Sequence, residues 1–197
     1  MFWPFGDLNL LVARFFGAVY EIFDTFPEAD GTLLDADGDW NVQSSDIEVR
    51  SGKAQVASGD FLRSANHVQE LPAGAKRTSA DITFDKTESN KYARLLTGLQ
   101  TPGYFGTGYA GQLGWNGTQH VAIIAKWPSA TTVSLVGLGD LGDGPFNLAF
   151  EFESGAQRVY VDGVLKLSAT DTTNTTVGNW AGLSLHSKTT ADNFRAR

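Results

Sequence analysis

Cysteine is absent from this 197-residue chain and methionine occurs once, which excludes disulfides and thiolate metal sites. Basic clusters are missing too. Against 22 Asp and Glu stand only 15 Lys and Arg, for a net charge of −7 and a pI near 4.8. Such a chain has little with which to hold a phosphate backbone, so nucleic acid is not an expected partner. No run of ~20 nearly uncharged apolar residues is present, so no membrane span is expected. Repeats at a solenoid period and low-complexity tracts are lacking as well.

Hydrophobic residues make up 42% of the chain and aromatics 12%, ample for a core. The 22 glycines point to a turn-rich β protein rather than a helical one. The acidic excess sits in one place: Asp24, Glu28, Asp30, Asp35, Asp37, Asp39 and Asp46 share residues 24–46 with no Lys or Arg. That stretch reads as a solvated loop. Asp35, Asp37 and Asp39 imitate the start of a calcium loop, but Trp40 stands where Gly is required and Asp46 replaces the bidentate Glu. Asp37-Gly38 is more simply a turn.

Residues 1–23 are far more apolar than the remainder. The only base, Arg14, lies mid-segment, which does not suit a secretory signal, and Asp7 and Glu21 interrupt the apolar run. From Asp7, a candidate N-cap, the residues Leu8, Leu11, Val12, Phe15, Val19 and Ile22 recur at helical spacing. With Phe2, Trp3, Phe5 and Phe16 they make a surface that must be covered, either by its own domain or by another subunit. The segment is therefore expected to be a docking or oligomerisation element, with a second unit at 24–197.

The body reads as short strands separated by turn residues. In Asn147–Glu153, Leu148, Phe150 and Phe152 share one face while Asn147, Glu151 and Glu153 share the other with Ala149. Asp162-Gly163 lies between Arg158–Val161 and Val164–Leu167, a strong short-range hairpin signal. Further strands are expected at Ile22–Phe26, Trp40–Ser44, Ile47–Arg50, Ala54–Ala57, Phe61–Ser64, Ser79–Asp85, Tyr92–Thr97, Gly111–Trp115, His120–Trp127, Thr132–Gly137 and Trp180–His186. Many strands without interleaved helices mean an all-β sandwich or barrel. The Gly-x-Gly-x-x-Gly matches at Gly106/Gly108/Gly111 and Gly137/Gly139/Gly142 each lead into a strand, so neither is a dinucleotide fingerprint.

The order of elements now carries a likeness. Asp24-Thr25-Phe26 with Ala29-Asp30-Gly31 and Leu33 leads to Trp40, then to Ile47-x-Val49 and Ser51-Gly52-Lys53-Ala54. Tyr160-Val161-Asp162-Gly163 follows, and Ala191-Asp192-Asn193-Phe194 closes the chain. Over residues 24–197 this resembles the concanavalin A-like (laminin-G-like) jelly roll. The resemblance implies two antiparallel sheets with the first and last strands side by side. It also implies a candidate cofactor, calcium bridging those strands through Asp24 and Asp192. Members range over lectins, glycoside hydrolases, binding modules and structural parts of viral particles.

Jelly-roll hydrolases carry a Glu-x-Asp-x-x-Glu strand, which Glu151-Phe152-Glu153 approaches without the Asp. His67, His120 and His186 show no nucleophile–base–orienter arrangement. No catalytic residues and no enzymatic activity are expected. A glycan would be held by aromatic faces with nearby amides, for which Tyr104, Tyr109, Trp115, Asn116 and Trp180 are the candidates. The leading expectation is a non-catalytic structural or adhesion subunit of a virion, such as a bacteriophage capsid-decoration or head/tail-fibre protein. Its partners would be capsid or tail proteins, or further copies of itself, met through residues 1–23. The alternative is a carbohydrate-binding module, extracellular or at a cell surface. A glycoside hydrolase comes third.

Overall fold

A computed structural model describes residues 22–36, 38–42, 46–58, 63–71, 74, 76–101, 107–173 and 176–197. The docking residues Phe2, Trp3, Phe5, Leu8, Leu11, Val12, Phe15, Phe16 and Val19 lie outside the described residues, as does Tyr104.

Every regular element described is a strand. The first five are β1 (Ile22–Asp24), β2 (Trp40–Val42), β3 (Ile47–Val49), β4 (Ala54–Val56) and β5 (Arg63–His67). Next come β6 (Arg77–Phe84), β7 (Lys91–Leu99), β8 (Gly108–Trp115), β9 (His120–Trp127) and β10 (Thr132–Gly139). The last are β11 (Phe146–Glu153), β12 (Ala156–Val161), β13 (Val164–Thr170), β14 (Trp180–Leu185) and β15 (Thr189–Ala196).

They form two antiparallel sheets. One has eight strands in the order β13-β12-β11-β6-β15-β4-β3, with β1 also on β15; the other has seven in the order β10-β9-β8-β7-β14-β5-β2. The fold expectation holds: an all-β, two-sheet antiparallel sandwich. Asp162 (φ 53°) and Gly163 (φ 76°) both take positive φ, as a type I′ turn needs, and join β12 to β13.

First and last strands pair, Asp24 opposite Phe194 and Ile22 opposite Ala196. The strand expected at 22–26 is present as β1. Ile22 closes the expected helical stripe, yet it begins β1 and is buried in the domain core. β1 stops at Asp24 because Asp24 Oδ1 accepts the Phe26 N–H at 2.7 Å and Phe26 turns the chain at φ 49°. The other carboxylate oxygen, Oδ2, accepts the Trp40 indole N–H at 2.7 Å. Trp40 belongs to the seven-stranded sheet and is packed by Phe26, His67 and Phe194 at centroid distances of 6.0, 5.2 and 4.9 Å.

Alternation supplies the rest of the core. Leu148, Phe150 and Phe152 of β11 with Ala80, Ile82 and Phe84 of β6 face Leu95 of β7, Leu113 of β8 and Leu183 of β14. The sheets approach closely enough that a Cβ on Gly111 would sit 2.4 Å from the Phe150 ring.

Replacing Asp24 by Ala leaves the buried Trp40 N–H without its acceptor, at an expected loss of ~1–3 kcal/mol in denaturant unfolding; Asp24→Asn, which keeps an acceptor oxygen, loses less. Gly111→Ala is expected to cost about 1–3 kcal/mol or more by overpacking, read the same way.

Candidate functional site

The inward residues of the seven-stranded sheet fix which residues look out. Ala93 and Leu95 of β7, Leu113 of β8, Ala122 and Ile124 of β9, and Ala181, Leu183 and Leu185 of β14 join the core. Their neighbours in sequence therefore occupy the outer face. Register arranges these in rows across the strands. One row runs Ser64, Ser184, Arg94, Gln112 from β5 through β14 and β7 to β8, and continues into Ile123 and Leu135. Its polar members are linked: Ser64 Oγ donates to Ser184 Oγ at 2.9 Å, and Arg94 Nε donates to Gln112 Oε1 at 2.6 Å.

Aromatic rings flank this polar row. On one side Trp127 forms a second apolar cluster with Leu96, Leu99 and Ala110, and Trp180 packs on it partly exposed. The Arg94 guanidinium carbon lies 6.0 Å from the centre of the Trp127 ring. On the other side Tyr92 lies across Gly114, where an added Cβ would meet its ring at 2.3 Å. Of these groups Tyr92, Arg94 and Trp180 are partly exposed, whereas Ser64, Ser184, Gln112 and Trp127 are buried. Arg94 is the face's single ionised group among the strand residues described.

The expected glycan residues do not gather there. Tyr109 is a core residue at 0% exposure, its ring 4.7 Å from that of Phe152 and its hydroxyl donated to the Asp171 carbonyl. Trp115 is 8% exposed and sits at the opposite end of β8, against His120, with the Lys86 ammonium 4.9 Å from its ring centre. Asn116 is exposed, but its Oδ1 accepts the N–H groups of Thr118 and Gln119 and holds a turn. Trp180 alone of the described candidates stands on the outer face. Tyr92, Arg94, Gln112 and Trp127 were missed, although β7 and β9 read clearly as strands; a side chain's face follows from register, which propensity does not give.

The calcium pair is also corrected. Asp24 points inward to Trp40, and both its oxygens accept N–H groups. Asp192 stands opposite Asp81 on the outer side, flanked by the core residues Ala191 and Ile82. Opposite faces of one sheet cannot share an ion, so these residues do not fit the metal. Among the described residues no group of three or more His, Cys, Asp or Glu could hold one.

Glu151 and Glu153 lie on the outer face of the eight-stranded sheet, away from the aromatic rows. Glu151 is bound by Arg77 and by the Tyr160 hydroxyl at 2.9 Å. Burial, and then that hydrogen bond, push the Tyr160 phenol above its ordinary pKa. Glu151 is a pinned structural anion.

His120 is fully buried among Phe84, Trp115 and Phe146. Its Nδ1 accepts the Leu141 N–H at 3.1 Å, while Nε2 makes no hydrogen bond. Burial is the main cause holding its pKa below 6.5, against the attraction of Asp140 at 3.8 Å and with Lys86 adding to the depression.

No family model and no curated protein matches the sequence. Solved structures do match. The carbohydrate-binding module CBM66 from Bacillus subtilis superimposes with a TM-score of 0.60 over 80% of this chain and 93% of that one, at 14% identity. The Bacillus licheniformis β-glucanase gives 0.60 over 89% and 96%, at 13% identity. A Bacillus subtilis protein of unknown function with a galectin-like fold gives 0.62 over 91% and 96%, at 10% identity. The fold is the concanavalin A-like jelly roll. At these identities the likeness establishes the jelly roll and leaves the ligand to this chain's own residues.

A His120 kept neutral in the fold contributes stability that is complete above its unfolded pKa of about 6.5 and is lost as pH falls from there toward the lower folded value. Unfolding free energy should decline with a proton uptake that His120→Phe abolishes, although that variant, lacking the Leu141 acceptor, is less stable at pH 8. An equal slope in both proteins between pH 6.5 and 5 would remove His120 from the account.

Proposed function

We propose that this chain is a carbohydrate-binding module whose ligand lies along the outer face of the seven-stranded sheet. The observation that carries the reading is the partly exposed Arg94, set between Trp180 on one side and Tyr92 on the other in the row it shares with the buried Ser64, Ser184 and Gln112. A sugar presents hydroxyls at its rim and C–H groups on its faces, and such a surface meets both. The likeness to a carbohydrate-binding module and to a β-glucanase supports it at the level of fold. An extracellular or cell-surface setting suits a glycan ligand.

Binding is favoured over hydrolysis by the distribution of acids. The strand residues described on this face include no carboxylate, and Glu151, with Glu153 beside it, is engaged on the other sheet. The virion reading rests on residues 1–23, of which only Ile22 and Phe23 are described; Ile22 is core, and Phe23 is 54% exposed beneath the Arg195 guanidinium.

Glycan-array screening followed by calorimetry is expected to find a neutral or acidic oligosaccharide. Trp180→Ala should weaken it about tenfold, near 1.4 kcal/mol, and Arg94→Ala by a similar factor. Trp115→Ala is the control, since that residue lies off the face. Loss of binding in the control with retention in Trp180→Ala, or no binding to any glycan, sinks the reading.

A further inference from the structure

Charge is divided unequally between the two sheets. The strands of the seven-stranded sheet contain no Asp or Glu, in a chain that has 22 of them, and they carry Arg63, Lys91, Arg94 and Lys126. Three of these cations sit at or next to a strand end beside a loop carboxylate: Arg63 with Asp46 at 2.7 Å, Lys91 with Glu88 at 2.7 Å and Lys126 with Asp171 at 2.9 Å. Arg94 instead lies within β7, in the middle of the outer face.

The guanidinium there is fixed in advance. Its Nε donates to the Oε1 of Gln112, a residue only 3% exposed, so the anchor is set by the sheet itself. The Trp127 ring, 6.0 Å from the guanidinium carbon, is within reach of a cation–π attraction. Holding a long side chain in this way removes rotamer freedom that a ligand would otherwise have to take away. Tyr92 is held too: its ring fills the space over Gly114, stands edge-on to His186 at 6.2 Å, and its hydroxyl donates to Asn90 Oδ1 at 3.2 Å. Tyr92 and Arg94 are two residues apart, ~7 Å along the strand. Trp180 pairs opposite Leu99, five residues beyond Arg94 and roughly 17 Å along. A glycan that touches both aromatics is a chain of several sugars, and it crosses Arg94 on the way.

We propose that the ligand of this face is an acidic oligosaccharide whose oxyanion, a uronate carboxylate or a sulfate ester, is received by Arg94. This assignment presupposes the carbohydrate-binding reading and narrows it to one ligand class. A neutral sugar laid over the guanidinium strips water from a full charge and returns only neutral acceptors. An oxyanion returns charge-assisted hydrogen bonds, in the planar fork geometry that makes arginine rather than lysine the residue for such groups. The net charge of −7 opposes an anion at long range, but within about 10 Å the seven strands present it with no carboxylate, and salt screens the rest. Arg94 thus selects the acidic unit, while Tyr92 and Trp180 take the sugar faces on either side of it.

Calorimetry of the full chain with matched pairs of oligosaccharides tests this. One set is oligouronates with their carboxylates free or methyl-esterified; the other is sulfated oligosaccharides with their desulfated parents. The acidic member of one set is expected to bind at least about tenfold tighter than its neutral twin, and which set shows it separates carboxylate from sulfate. That advantage should shrink as salt rises from about 50 to 500 mM. Arg94→Gln should bring the ratio of the twins to about one, whereas Arg94→Lys, with the charge but not the fork, should keep part of it. Melting temperatures of both variants show that the fold is retained. Equal binding of the twins in the wild-type chain, or a preference that survives Arg94→Gln, overturns the acidic assignment and leaves the glycan reading standing. Absence of binding to every member of both sets, and to every glycan on the array, overturns both.

Discussion

The structure depends on one strand being held from both sides. β15, the last strand, lies between β6 on one flank and β4 with β1 on the other. The eight-stranded sheet is therefore completed only when the two ends of the domain meet. Asp24 extends this closure across the interior, since its carboxylate accepts the indole N–H of Trp40, a residue of the opposite sheet. Burying that N–H unpaired would cost more than the bond itself yields, which makes the contact a condition for docking the sheets rather than a small bonus. Pairings between residues 22–24 and 194–196 are the most non-local of the strand pairings described, so closure should be a late event in folding.

Close packing of the two layers then determines the faces. Phe150 sits where Gly111 has no side chain, and Phe152 lies against Gly98, whose added Cβ would be 2.7 Å from it. With the interior filled by β11 and β6, the larger aromatics of the seven-stranded sheet have only two destinations. Tyr109 goes inward and closes over Phe152; Trp127 and Trp180 go outward and cover Leu96, Leu99 and Ala110. The outer face is therefore partly apolar by necessity, with its polar row set between the aromatics.

How much could be read in advance followed the length scale of the signal. The Asp162-Gly163 hairpin and the alternation of Asn147–Glu153 are local, and both stand as read. Pairing of the first and last strands came from the resemblance and stands with a shift of two residues. Which way Tyr109, Trp115 or Asp192 points is a question of register, and bulges change its parity. The ladder slips between Asp192 and Arg195, with Asn193 at φ 51°, and again between Trp180 and Gly182. An Asp at a strand end looks the same in sequence whether it caps a turn inward, as Asp24 does, or stands across from Asp81, as Asp192 does. Aromatics show the same degeneracy: Trp127 and Trp115 both end β strands, and only one joins the outer rows.

Charge follows the same division between faces. The eight-stranded sheet turns outward Arg77, Asp81, Glu151, Arg158 and Asp192, largely tied to one another or to Asn147, Asn193 and Tyr160. The other sheet turns outward hydroxyls, an amide and Arg94. A face of the first kind has spent its hydrogen-bonding capacity internally, and a ligand would have to break ion pairs to use it. On the second face Ser64, Ser184 and Gln112 are buried and bonded within their row, while Arg94, Tyr92 and Trp180 keep partial exposure beside one another. That contrast, rather than the presence of any single residue, is what the proposed glycan reading rests on.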